Sequence, residues 1–165
     1  MTTRRRLTCF CAVTGATVGL DQLTKALARA WLAPAPPISL LGGVLRLAHR
    51  ENVGAFMGLG SGLPPLLRTL FFGVFSALLL VGASVYVVTT PDLTPPGIWG
   101  ASLLVGGGLG NLIDRVLNQG AVTDFLNLGI GVVRTGVFNV ADLAIVVGVI
   151  CVMLPLWCAT PQSSE

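Results

Sequence analysis

Residues 69–91 read TLFFGVFSALLLVGASVYVVTTP and carry no charge between Arg68 and Asp92. About 20 consecutive apolar residues cross the hydrocarbon core of a bilayer, so this stretch predicts a transmembrane helix over residues 66–88. The run Thr89-Thr90-Pro91-Asp92-Leu93-Thr94-Pro95-Pro96-Gly97 then breaks the helix with a short polar turn. The rest of the chain has the same character. Of its 165 residues 53% are hydrophobic and only 10% charged, with a mean hydropathy of +0.84, whereas a soluble domain carries about 25% charged residues. An integral membrane protein follows, read as one domain over residues 1–165.

With charges as punctuation, three further spans emerge at about residues 7–25, 98–115 and 137–157, giving an all-α membrane fold of four transmembrane helices. The first span follows the basic cluster Arg4-Arg5-Arg6. A cleavable signal peptide is its plainer reading, but no clear small-x-small site follows, and Asp21-Gln22-Leu23-Thr24-Lys25 reads as a helix continuing into an interface. Gly15 and Gly19 have the small-xxx-small spacing that lets helices approach closely. The cluster Gly106-Gly107-Gly108-Leu109-Gly110 lacks the Lys-Ser/Thr of a phosphate loop. It reads as close helix packing, or close approach of a ligand to backbone.

Four spans place both termini on one side, and Arg4-Arg5-Arg6 assigns that side to the cytoplasm. Lys25, Arg29, Arg46, Arg50, Arg68, Arg115 and Arg134 then fall outside, against the usual bias, where basic groups can meet lipid headgroups. Between the first two spans, Val44–His49 alternates weakly as a short strand does. The glycine-rich stretch Gly54–Gly62 is predicted to lie along the membrane surface. A net charge of +3 without a basic, aromatic-interleaved stripe argues against nucleic acid. Cys9, Cys11, Cys151 and Cys158 lack C-x-x-C spacing and read as small hydrophobes. His49 stands alone, so no zinc site, other metal or cofactor is expected.

The polar residues converge on one end of these spans. Asp21 and Lys25 close the first, Glu51 and Asn52 follow in the external segment, and Asn111, Asp114 and Arg115 close the third. Asp124 comes shortly after, and Asn139 and Asp142 open the fourth. Asn111 and Arg115 share a helix face at i,i+4, as do Asn139 and Asp142 at i,i+3. Each group also has a plainer reading. Asp21–Lys25 and Asp114–Arg115 fit helix-end or interfacial ion pairs, and the asparagines fit structural hydrogen bonders. Asp124 and Asp142 resist that reading, because neither has a basic neighbour in sequence and ionisable groups beside a membrane segment are expensive to keep. Two carboxyls in a low-dielectric pocket hold one proton between them. The ionised member can activate water, and the protonated member can polarise a carbonyl and assist the leaving amine.

Five patches occur in one order: Asp21-Gln22-Leu23-Thr24-Lys25, Asn52-Val53-Gly54-Ala55-Phe56, Gly107-Gly108-Leu109-Gly110-Asn111-Leu112-Ile113-Asp114-Arg115, Val122-Thr123-Asp124-Phe125 and Phe138-Asn139-Val140-Ala141-Asp142. In these the chain resembles the bacterial lipoprotein signal peptidases, signal peptidase II. The resemblance implies an aspartic endopeptidase of the bacterial inner (cytoplasmic) membrane, with its active site at the outer face. Such an enzyme removes the signal peptide from prolipoproteins, cleaving before a cysteine that already bears diacylglycerol. It implies a catalytic dyad of Asp124 and Asp142, with Asp21, Lys25, Asn52, Gly54, Gly108, Asn111, Arg115, Asn139 and Ala141 binding substrate or supporting the pocket. It also implies a small external β-cradle, an interfacial helix, contact with membrane lipids and sensitivity to the cyclic peptide globomycin. One departure is visible: the second patch commonly reads Asn-x-Gly-Ala-Ala-Phe, and one alanine is missing before Phe56. That bears on how Phe56–Leu63 sits.

Two other classes compete. A small proton-coupled transporter subunit would relay protons through Asp124 and Asp142, but such groups usually lie along a path or at the midplane. A structural assembly subunit packing through Gly15, Gly19, Gly106 and Gly110 leaves both aspartates unexplained.

Overall fold

The computed structural model describes residues 1–54 and 59–153, and the backbone alone of 154–158. Four long helices and one small antiparallel sheet make up the fold. Helix α1 runs Thr3–Trp31, capped by the Thr2 side chain, which accepts from Arg5 N–H. It overshoots the expected 7–25 at both ends, because its charges find partners. The Arg6 guanidinium donates to the Val88 carbonyl at 2.8 Å and to that of Thr90, at the negative end of a neighbouring helix. Asp21 and Lys25 neutralise each other within the helix. At roughly 1.5 Å per residue, 29 residues reach about 44 Å, longer than a hydrocarbon core.

Helix α1 is inside-out by the standards of a soluble protein. Its buried stripe includes Arg6, Thr17, Asp21 and Lys25, while Leu20, Leu23 and Leu27 are exposed. Apolar side chains outward and polar ones inward is the pattern hydrocarbon surroundings favour.

Helix α2 spans Pro65–Thr89, the one helix among the described residues that is by itself long and apolar enough to cross a membrane. Its segment Thr69–Phe75 is π-helical. Helix α3, Pro95–Leu117, begins three residues before the expected 98, within the stretch read as a turn: Thr94 accepts from Gly97 N–H, and prolines occupy the first positions, where a missing N–H costs nothing. Helix α4, Val140–Cys158, starts later than the expected residue 137. Phe138 is instead bridged to Leu126, and Asn139 caps the helix. Asp142 N–H donates to Asn139 Oδ1 at 2.9 Å, and Asn139 N–H returns a bond to Asp142 Oδ2 at 3.2 Å. This reciprocal capping box fixes the i,i+3 pair at the helix mouth rather than along a helical face.

The sheet has the order β1-β2-β3-β4, with β1 Ile38–Leu40, β2 Leu45–Asn52, β3 Val122–Ile130 and β4 Val133–Arg134. The alternation at Val44–His49 is strand β2, and a bulge between Leu47 and Arg50 resets its register so that Arg50 faces Asp124. A small antiparallel sheet, as the resemblance implies, is therefore present. The segment Gly54–Gly62, expected along the membrane surface, is helix-free where described, with residues 60–62 in a turn closed by Leu63 N–H on Gly60 O. Residues 55–58, including Phe56 and the altered motif, lie outside the described residues.

Phe10, Val87, Ala101 and Val105 form the apolar core between α1, α2 and α3. Helices α3 and α4 touch through Gly100 and Gly148: a Cβ on Gly100 would stand 2.7 Å from the Gly148 carbonyl oxygen. The cluster Gly106–Gly110 likewise packs against Thr17, Ala141, Leu80 and Asp21. Gly15 and Gly19 do not pack, since nothing approaches within 4 Å of a Cβ at either. Among the described residues nothing packs on them, so their expected packing role is not found there. Among the described cysteines, Cys9, Cys11 and Cys151 are free.

Candidate active site

Asp124 and Asp142 reach one cavity of about 240 Å³ from different elements, the first on β3 and the second in the opening turn of α4. Asn52, Phe72, Gly108, Asn111 and Arg115 are among its other walls. The two carboxylates are tied together by asparagines. Asn139 Nδ2 donates to Asp124 Oδ1 at 2.7 Å and to Asn111 Oδ1 at 3.1 Å. Asn111 Nδ2 in turn donates to Asp142 Oδ1 at 2.9 Å. Asn52 Nδ2 completes the set on Asp124 Oδ2 at 2.9 Å.

Asp124 is 2% exposed. Burial pushes its carboxyl up to about 6, and the Asp142 charge adds to the rise, against hydrogen bonds from Asn52 and Asn139 that favour the ionised form. Asp142 is half-buried and accepts from Asn111 Nδ2 and Asn139 N–H on its two oxygens.

Behind the asparagines lies a charged cluster. Lys25, fully buried, donates to Asn111 Oδ1 at 2.9 Å and pairs with Asp21 at 2.8 Å and Asp114 at 3.4 Å. A buried ammonium persists only when paired in this way. Asp21 Oδ1 also accepts Ala141 N–H at 2.9 Å, and Asp114 Oδ2 accepts Thr123 N–H at 2.9 Å. Each of these carboxylates thus holds the backbone one residue before Asp142 or Asp124. Gly110 makes the approach possible, because a Cβ there would collide with Asp21 Oδ2.

The remaining expected residues take their places around this centre. Gly54 N–H donates to Asn52 Oδ1 at 3.0 Å, and its carbonyl accepts from Arg115 Nη2 at 2.9 Å. Arg115 also stacks on the Phe72 ring, 5.7 Å from its centroid. Gly108 lets Leu80 approach α3 closely, and Ala141 is fully buried. The sequence reading missed Asp114, Thr123, Arg29 and Phe72 as parts of the site. Asp114, adjacent to Arg115 and so expected to point away from it towards a neighbouring helix, turns to α1, where Lys25, Gln22 and Arg29 surround it. Arg29 reaches Thr123 Oγ1 at 2.9 Å. The signal was available, since Asp114 and Asn111 are i,i+3 and so both face the Lys25 side. Nothing in the sequence pointed to Phe72.

The model of the signal peptidase (SPase) II family, Peptidase A8, matches residues 13–158. The lipoprotein signal peptidase of Gloeobacter violaceus is 39% identical over 140 residues, 83% of this chain and 75% of that protein. That of Geobacillus thermodenitrificans is 31% identical over 162 residues, 97% of each. A solved structure described as a bacterial membrane enzyme superposes with a TM-score of 0.81 at 27% identity, covering 94% of this chain and 92% of that one. With the family model matched along nearly its whole length, the chain belongs to the signal peptidase II family of peptidases.

Proposed function

We propose that Asp124 and Asp142 are the catalytic dyad of this aspartic peptidase, and that it removes signal peptides from prolipoproteins by cleaving before a diacylglyceryl-modified cysteine. The observation that carries the reading is the pair of carboxylates from separate elements on one cavity, linked through Asn139 and Asn111. Burial and the neighbouring Asp142 charge favour the protonated form of Asp124, and the mechanism uses it as the proton-bearing member of the pair. Asp142 takes a proton from water, and the oxygen of that water attacks the scissile carbonyl. Asp124 donates its proton to the carbonyl oxygen, giving a gem-diol. The proton on Asp142 then passes to the amine as the C–N bond breaks, while one gem-diol hydroxyl re-forms the C=O and returns its proton to Asp124. The transporter alternative finds no support among the relatives.

Four helices alternating in direction support a multi-pass protein of the bacterial inner membrane with both termini cytoplasmic and the site at the outer face. Arg6 grips the end of α2 at one end of the bundle, while the dyad, Lys25 and the sheet gather at the other. Globomycin is expected to occupy the dyad cavity.

The test is cleavage of a diacylglyceryl-modified prolipoprotein by purified protein, beside Asp124→Asn and Asp142→Asn. Loss of turnover in both supports the dyad, and full activity in either refutes it.

A further inference from the structure

A second cavity, of about 340 Å³, adjoins the dyad cavity and shares Arg115 with it. It lies between the start of α2 and the end of α3, lined by Pro65, Arg68, Thr69, Leu112, Arg115 and Gln119 among others. Two guanidiniums face this space, and no acidic side chain is among its lining residues. The Arg68 side chain, half-buried, has no hydrogen bond or ion pair among the described residues. Arg115 donates one N–H to Gly54 and lays its face on Phe72, and its buried Nε has no hydrogen-bond partner among the described residues.

Two guanidiniums gathered in a concave, partly apolar space, with the Arg68 side chain lacking a partner among the described residues, leave positive charge there that an anion would offset. The planar fork of an arginine matches phosphate oxygens in a bidentate way. The walls set what carries the phosphate. Pro65, Leu112 and Val116 are apolar, and Arg68 stands in the first turn of α2, a helix long and apolar enough to cross a membrane, at the depth of lipid headgroups. The π-helical segment serves both cavities, turning Thr69 and Gly73 to this one and Phe72 to the dyad. Such segments often mark functional sites.

We propose that this cavity binds the phosphate of an anionic phospholipid, gripped by Arg68 and Arg115 beside the dyad. The cavity suits a phosphoglycerol headgroup in size, with acyl chains left in the membrane. The site is independent of which residues perform cleavage.

The test is binding to the purified full chain in an uncharged detergent, read by native mass spectrometry. The probes are dioctanoyl phosphatidylglycerol, dioctanoyl phosphatidylcholine and inorganic phosphate. Phosphatidylglycerol is expected to bind at least ten-fold more tightly than phosphatidylcholine, whose choline opposes the arginines. Arg68→Gln should weaken it about ten-fold, and Arg68→Lys less. Arg46→Gln, on the exposed face of β2, should not change it. Gly73→Leu provides a second route: a Cβ there meets only Thr69 Cγ2 at 3.9 Å, so the larger side chain fills the cavity and should block binding in a folded protein. Equal binding by Arg68→Gln and Arg46→Gln overturns the site. Inorganic phosphate binding as tightly as phosphatidylglycerol, with the same dependence on Arg68, overturns the lipid as its occupant.

Discussion

Thr123 N–H donates to Asp114 Oδ2 at 2.9 Å, which fixes strand β3 to helix α3 one residue before Asp124. The same device recurs on the other carboxylate-bearing segment, where Asp21 accepts Ala141 N–H one residue before Asp142. Lys25 lies between the two acceptors and pairs with both. The separation of the dyad is thereby set by backbone grips that share one buried cation.

Removing the grip on β3 should therefore impair turnover more than binding. Asp114→Ala is expected to lower kcat about 100-fold with KM little changed, since small displacements of a reacting group lose about this much. Asp114→Asn keeps an acceptor for Thr123 N–H and should retain more activity. Steady-state kinetics on a lipidated prolipoprotein decide the matter, and a wild-type kcat in Asp114→Ala would remove the grip from the mechanism.

The pH dependence follows from Asp124. Its carboxyl is raised by burial to about 6, and the proposed mechanism uses it protonated, so kcat/KM should fall as pH rises through that value. Asn52 donates to the ionised form and holds the value down. Asn52→Ala should thus move the alkaline limb to higher pH while lowering the maximum rate. For stability the sign is the same: a carboxyl raised on folding contributes most below its unfolded value of about 4, and that contribution is lost as pH rises through about 6. The limb belongs to the coupled pair rather than to one residue. An Asn52→Ala profile shifted to lower pH would contradict the role given to Asp124.

What the sequence disclosed depended on whether the information was local. The apolar run after Arg68 announced its helix directly, because span length is a local property, whereas Pro95 and Pro96 read as breakers and in fact open helix α3. Strand β3 carried no such signal. Val122, Thr123, Asp124 and Phe125 are all buried, so both strand faces are covered and the two-residue alternation disappears. The basic residues outside the first span looked like exceptions to the charge bias because their partners are remote. Lys25 and Arg29 meet Asp114, and Arg134 donates to the carbonyls of Gly43 and Asn127. The resemblance in five patches named the dyad, but the lattice of asparagines between its members required three dimensions.

Glycine spacing shows the same limit and offers a direct comparison. Gly107 and Gly15 both sit in helices within small-residue patterns, yet a Cβ on Gly107 would run into the Ala141 carbonyl while one on Gly15 meets nothing within 4 Å. Gly107→Ala should push the first turn of α4 away and carry Asp142 with it, costing about 1–3 kcal/mol as overpacking. Gly15→Ala should be neutral or stabilising by up to about 1 kcal/mol, because alanine loses less backbone freedom in a helix. Thermal unfolding in detergent, paired with a cleavage assay, separates the two. Equal melting temperatures for both variants would show that the α3–α4 approach tolerates a methyl group.

The buried charges behind the dyad invite a double-mutant cycle. Lys25→Met leaves Asp21 and Asp114 facing each other without their shared cation, and Asp21→Asn leaves Lys25 with Asp114 alone on this side. Breaking one partner of a buried pair typically costs about 3–5 kcal/mol, much of it the price of stranding the other charge. In the double variant no Asp21 carboxylate remains to be stranded, so its loss of stability should be smaller than the sum of the single losses by at least about 1 kcal/mol. Activity should not recover in parallel, because Asn111 loses the ammonium that holds its Oδ1 and is freer to rotate away from Asp142. Additive stabilities would mean that the two charges act independently. Restored cleavage in the double variant would instead show that the cluster supports the fold without positioning the dyad.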